Sequence, residues 1–307
     1  MTPSIYESNR RLAEDAAAFI AQAEVEYDRQ LSKIADYIAQ HSEQCPVVLL
    51  SGPSGSGKTT TALILENKLD RRGLETHTLS QDNYFRTLTE EDHRLLEQGL
   101  LDLESPARVD EQLLTDQLAD IIAGKTVELT EFDFCNHVRR PSGKTLIRKP
   151  GEVVILEGIH SLNPHVVQLP EEQTVRLYVS VRTRVEGPDG KVLHPKYIRL
   201  LRRMLRDVRH RGRRAEDTLQ MFHSVNLGED RFIMPYKHRS TFDVDTFFDY
   251  EINVYRKYLL DELTALADRP EIAEMLPVLA AADPLDAAAV PETALIREFI
   301  GGSELNY

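Results

Sequence analysis

The chain has 307 residues, 41% of them apolar, and carries 37 Lys and Arg against 50 Asp and Glu, a formal net charge of −13. That length and apolar content support one large or two ordinary folded domains and exclude global disorder. The acidic balance counts against general nucleic-acid binding and a basic membrane-surface role, no window is apolar enough to span a bilayer, and two cysteines, Cys45 and Cys135, form neither a disulfide framework nor a zinc site.

The first residues mix acids and bases among apolar ones, unlike a signal peptide, so a reducing, cytoplasmic setting is expected. Residues 6–41 read as one helix. Leu12, Ala16, Phe19, Ala23, Tyr27, Leu31, Ile34 and Ile38 recur at steps of three and four and form one apolar stripe. Such a helix docks on the main domain or, as the alternative, pairs with a second copy to make a homo-oligomer.

The pattern changes at Pro46. Val47 to Leu50 is a continuous apolar run, as in a strand buried on both faces. Gly52-Pro53-Ser54-Gly55-Ser56-Gly57-Lys58-Thr59 then fits G-x-x-x-x-G-K-[ST], and Thr59 to Leu69 reads as helix. In that context the glycines let the backbone wrap a phosphate and aim its N–H groups inward, and the helix N-terminus adds favourable partial charge. Lys58 is expected to reach the β- and γ-phosphates of ATP and Thr59 to ligate Mg²⁺. A chance Gly/Ser turn is the plain alternative, and it accounts poorly for the flanking strand and helix.

Thr76–Ser80 is the next strand, followed by Gln81-Asp82-Asn83-Tyr84-Phe85. Asp82 therefore falls at the carboxyl edge of the sheet, where a kinase needs a carboxylate to accept a hydroxyl proton; alone it would read as a helix cap. Residues 110–123 are helical. Thr126–Phe134 and Lys144–Arg148 are expected to form a hairpin closed by Pro141-Ser142-Gly143. Within it Phe132 and Phe134 alternate onto one strand face suited to stacking on a flat base, and His137 could bond a base edge. An ordinary hairpin core with a surface histidine explains these residues equally well.

Val153 to Leu156 is a further buried strand, ending in Glu157-Gly158. A GTPase would carry Asp-x-x-Gly there, and it is absent. Glu157 is placed to hold Mg²⁺, against the alternative of a solvated strand end. Strands at 175–179 and 244–248 and helices at 196–209 and 250–266 follow, an alternation that implies a parallel sheet. Residues 199–214 hold eight arginines and one aspartate, with Arg199, Arg203 and Arg206 on one helix face and Gly212 breaking the helix between Arg211 and Arg213. Beside a phosphate cradle this reads as a lid closing on ATP. The alternatives are a solvated helix and an RNA-binding stripe. Residues 261–307, with ten acids and two bases, read as an extension of short helices and turns.

The cradle GPSGSGKTT (Gly52 to Thr60), LSQDNYF, FDFCNH, VVILEGIH and RRMLRDVRHRGR resemble, in order and spacing, the uridine–cytidine kinases of the uridine kinase and phosphoribulokinase group. EGIHSLN and the closing IREFIGGS resemble a longer bacterial uridine kinase-like branch. The resemblance implies an α/β P-loop NTPase fold of kinase type: a parallel five-stranded sheet with flanking helices, a β-hairpin appendage and an Arg-rich lid. It covers a kinase domain over 46–260 (hairpin about 126–148, lid about 196–228), and outside it the residues themselves read as a helical extension over 1–45 and an acidic helical extension over 261–307. Carried onto these residues, it makes Asp82 the catalytic base and gives Thr59 and Glu157 to Mg²⁺. Tyr84 would lie near the acceptor, Phe132 and His137 against the base and Arg203 against the sugar. Arg206, Arg211 and Arg213 would clamp the phosphates. Two departures stand out. Glu104 replaces the family aspartate that holds the ribose hydroxyls, and Phe132 lacks the hydroxyl of the tyrosine common there. A small-molecule acceptor is expected, a nucleoside foremost, with no membrane or nucleic-acid partner. The alternatives are a P-loop kinase of another hydroxyl compound, such as a sugar phosphate or vitamin precursor, and a nucleotide-dependent RNA-binding or regulatory module.

Overall fold

The structure, a computed structural model, describes residues 2–188 and 190–305. In chain order it contains α1 (Ile5–His41), β1 (Val47–Ser51), α2 (Lys58–Asp70), β2 (Thr76–Ser80), α3 (Glu90–Glu97), α4 (Glu111–Ile122), β3 (Val127–Asp133) and β4 (Val138–Leu146). There follow β5 (Val153–Glu157), β6 (Thr174–Ser180), β7 (Val185–Glu186), β8 (Val192–Leu193), α5 (Pro195–His210), α6 (Ala215–Gln220), α7 (Phe222–Phe232), β9 (Phe242–Asp245), α8 (Glu251–Thr264), α9 (Pro270–Ala281) and α10 (Arg297–Ile300).

The apolar runs become a five-stranded parallel sheet in the order β2-β5-β1-β6-β9. Strands β1 and β5 are buried along their whole length, which is why their sequences run apolar without alternation. The last strand lies two residues earlier than its apolar run suggests. The Asp245 carboxylate accepts from the amides of Arg182 and Phe247, which turns the chain and leaves Phe248 as a core residue. In register, Leu50 and Ser80 both align with Glu157. The carboxyl ends of β1, β2 and β5 thus share one edge, the place where such sheets bind ligands.

The stripe of α1 is buried within the chain itself, against α2, β9 and α9, and Leu31 and Ile38 are fully enclosed. Each such aliphatic side chain contributes about 1.5–3 kcal/mol. The helix bends at Asp15, whose carboxylate accepts from the Ala18 amide and restarts it. Further along, half-buried Glu24 accepts from the Tyr250 hydroxyl, and burial pushes its carboxyl from the ordinary 4.5 up to about 7. Between those values the folded state holds a proton that the unfolded chain has lost, so stability falls as pH rises through that window. Glu24→Gln is expected to raise stability at pH 8 by about 1–2 kcal/mol and to change little at pH 5. Urea unfolding of both proteins at the two pH values checks this, and equal pH slopes would contradict it.

The hairpin departs from expectation. Strands β3 and β4 are closed by residues 134–137, while Pro141-Ser142-Gly143 lies inside β4 at a register irregularity. The Asp133 carboxylate accepts from the amides of Cys135 and Asn136 and His137 adopts positive φ, so this turn forms without glycine. The segment 182–195 forms the short β7–β8 pair, with Glu186 bridged to the start of the chain. Far from hanging free, residues 295–300 enter the main core, with Leu295, Ile296 and Phe299 fully buried. No helix among the described residues is long and apolar enough to cross a membrane.

Candidate active site

The loop from Gly52 to Thr59 leaves β1 and enters α2, with Gly55 and Gly57 at positive φ. Its glycines are required by contact. A Cβ on Gly52 would lie 1.9 Å from the Val179 carbonyl oxygen, one on Gly55 2.9 Å from that of Arg199, and one on Gly57 2.8 Å from the Leu295 side chain. No side chain caps α2, so its first-turn N–H groups face the loop.

Three carboxylates gather around this cradle. Glu157 ends β5, is buried, and accepts from the Ser80 hydroxyl at 2.8 Å. Burial and the neighbouring Asp82 push it up to about 7, with Lys58 opposing. Asp82 sits in the 3-10 turn Gln81–Tyr84, and burial raises its carboxyl while Lys58, Arg211 and Arg206 pull it down. Glu104 is raised by burial and lowered by Arg203 and Lys58. One turn therefore brings Asp82 between the cradle lysine, two lid arginines and Glu104. Neither charge set would be stable alone at this density.

The cations come chiefly from α5, which packs over the loop. Arg203 is buried, and burial lowers its guanidinium to about 10. Nε and Nη1 of Arg203, Nε of Arg206 and the hydroxyl of Ser56 are buried without a hydrogen-bond partner. The orphaned Arg206 and Ser56 donors, beside a loop whose three glycines leave no room for a Cβ, fit a bound polyphosphate, so the residues present suit ATP. For Mg²⁺, Thr59 and Glu157 offer one hydroxyl and one carboxylate, the sparse protein set that this ion combines with phosphate oxygens. Among the described residues no group of three or more His, Cys, Asp or Glu side chains could hold a metal alone.

Other expected site residues are distributed less simply. Thr60 is buried and bonds Glu298 at 2.6 Å. Ser54 offers its carbonyl to Arg199, which also pairs with Glu229 at 2.6 Å. Arg211 bonds Asp207, whereas Arg213 is exposed and touches the Met221 sulfur at 3.8 Å. Tyr84 lies in the core and donates to Gln117, so its hydroxyl is engaged away from Asp82. Phe134 belongs to the turn and not to a strand face, yet its ring meets Phe132 at 5.2 Å and Phe85 at 6.4 Å. Phe132 and Phe85 stand edge to face at 5.6 Å, giving an apolar three-ring cluster. His137 lies on the turn near His93 of α3, 5.9 Å between ring centres.

Three groups escaped the sequence reading. Arg202, immediately before Arg203, is fully buried beneath the loop. It is bidentate to Glu251 at 2.7 and 2.9 Å and donates to the Gly55 carbonyl at 3.3 Å. With Arg199 and Arg203 also buried, the arginine helix presents no continuous solvent-facing stripe. His160 is buried, and its Nε2 lies 2.9 Å from the Glu104 carbonyl oxygen. The His160 amide donates to Gln81, which ties the Asp82 turn to the end of β5. Burial lowers its imidazole to about 4, so at neutral pH it donates while uncharged. Glu298, finally, reaches the loop from the far end of the chain.

The sequence model described as "Phosphoribulokinase / Uridine kinase family" matches residues 47–252. A uridine-cytidine kinase 2-B of Danio rerio is 32% identical over 204 residues, covering 64% of this chain and 72% of the relative. A uridine kinase of Macrococcus caseolyticus is 32% identical over 194 residues, covering 62% and 83%. Among solved structures, a Saccharomyces cerevisiae protein described as a P-loop containing kinase with a circular permutation aligns with a TM-score of 0.51 at 12% identity, over 71% of this chain and 98% of that one. That last likeness concerns the fold alone.

Proposed function

The chain belongs to the phosphoribulokinase / uridine kinase family, and from that premise we propose that it transfers the γ-phosphoryl group of ATP to the 5′-hydroxyl of a pyrimidine ribonucleoside. That it is an ATP-dependent kinase follows from the membership; the acceptor is our reading. The observation that carries it is the position of Asp82, in the turn that follows β2 at the sheet edge shared by Glu157 and the phosphate cradle.

In this reading Asp82 accepts the hydroxyl proton as the acceptor oxygen bonds to phosphorus and the bond to the bridging oxygen of ADP breaks. Lys58 and Arg206 stabilise charge on the transferring group, and Arg211 and Arg213 hold phosphate oxygens as the lid covers them. Thr59 and Glu157 would hold Mg²⁺, which would neutralise phosphate charge. Phe132, with Phe85 and Phe134, offers ring faces and edges to a planar base, and His137 stands on the same turn. Glu104 and Arg203 take the sugar. A sugar phosphate acceptor is the second reading, favoured by the two orphaned nitrogens of Arg203. A cytoplasmic site of action accords with this substrate class.

Glu104→Ala tests the acceptor side. The KM for uridine or cytidine is expected to rise at least tenfold with the KM for ATP within about twofold. A variant with both constants unchanged would remove Glu104 from the acceptor site.

A further inference from the structure

The family match ends at residue 252, yet a later segment returns to the cradle. Leu295 packs against Gly57, and Glu298 accepts from the Thr60 hydroxyl at 2.6 Å. The other Glu298 oxygen lies 3.8 Å from Nη1 of Arg206. Arg297 locks this strap by donating to the carbonyls of Ala287, Val290, Pro291 and Gly301. Gly301 and Gly302 then turn at positive φ, with Gly301 against His210 of α5. A cavity of about 520 Å³ lies between the strap and the start of α2, lined by Thr59, Arg206, His210, Glu298, Gly301 and Leu305.

We infer that this strap walls the part of the donor pocket that holds the nucleoside half of ATP, and that Glu298 accepts hydrogen bonds from its ribose hydroxyls. The inference rests on the kinase reading above. The loop takes the β- and γ-phosphates, and Asp82 and Glu104 mark the acceptor side. The rest of the donor must therefore leave past Thr59, which lines the cavity. Its volume is that of a small-ligand pocket. Next beyond the α-phosphate comes the ribose, and the group built there is a carboxylate. A carboxylate can only accept; Thr60 supplies one donor to Glu298 and Arg206 stands 3.8 Å away, which leaves lone pairs for further O–H donors. Vicinal ribose hydroxyls supply two such donors at that distance from the chain of phosphates, as acidic residues receive them in dinucleotide sites.

Titration calorimetry with Mg²⁺ and three probes, ATP, 2′,3′-dideoxy-ATP and tripolyphosphate, tests this without turnover. The wild-type chain is expected to bind ATP about tenfold more tightly than dideoxy-ATP, and Glu298→Ala to bind the two equally. A purely structural effect of the substitution would weaken both and leave the preference intact, which would overturn the assignment. So would a wild-type chain indifferent to the two nucleotides, a result independent of how any variant folds; the kinase reading would survive it because ATP still binds. A wild-type chain that bound neither ATP nor tripolyphosphate would defeat the kinase reading itself, and the inference with it.

Discussion

Asp82→Asn is expected to lower kcat about a thousandfold or more while leaving ATP affinity within about threefold. The amide is nearly isosteric but cannot take a proton at neutral pH. Asp82 is held in a turn whose neighbour Gln81 is pinned between Gly158 and the His160 amide, so the substitution should not move the backbone. Its carboxyl is raised by burial and drawn back by Lys58, Arg211 and Arg206. Removing its charge also relieves Glu157, which Asp82 pushes upward; Mg²⁺ nucleotide binding should therefore hold or tighten. Steady-state rates with calorimetric ATP binding separate the two effects. Wild-type turnover in the variant would remove Asp82 as the base.

The largest expected loss of stability is at the ion pair beneath the loop. Arg202 and Glu251 are both fully buried, and Tyr255, Thr246 and the Phe248 amide complete their hydrogen bonds. Breaking such a pair from one side leaves an uncompensated charge in the core, so Arg202→Met or Glu251→Leu should each cost about 3–5 kcal/mol. Replacing both together should recover much of that loss, because two apolar side chains leave no orphaned charge. The double variant should still bind ATP less well, since Arg202 also donates to the Gly55 carbonyl of the phosphate loop. Chemical denaturation of the three variants measures the cycle. Additive losses would show that the pair is not coupled.

These two sites differ in how far the sequence discloses them. Asp82, the cradle and Glu157 can be placed because each follows a short apolar run, and a parallel sheet brings those run ends to one edge. The sheet itself is legible for the same reason. Arg202 and Arg203 look alike in sequence, and only Glu251, 49 residues away, decides that one is a paired buried strut while the other keeps two buried nitrogens without a partner. Glu298 meets Thr60 across 238 residues, a pairing no local period encodes. The hairpin misleads for a local reason: Pro141-Ser142-Gly143 has turn composition, but Ser142 bonds back to Leu129 across the strands, while Asp133 caps the actual turn. Aromatic alternation at Phe132 and Phe134 points to the right cluster through the wrong geometry, since the turn and not the strand pleat brings the rings together.

The central claim is nucleoside phosphorylation, and the most direct measurement is phosphoryl transfer from γ-labelled ATP to a panel of acceptors. The panel should hold uridine, cytidine, purine nucleosides, sugar phosphates and vitamin precursors, each offered to the purified chain with Mg²⁺. The account predicts label on the 5′-oxygen of uridine or cytidine at kcat/KM at least a hundredfold above any non-nucleoside. Label on a sugar phosphate with none on any nucleoside would contradict it.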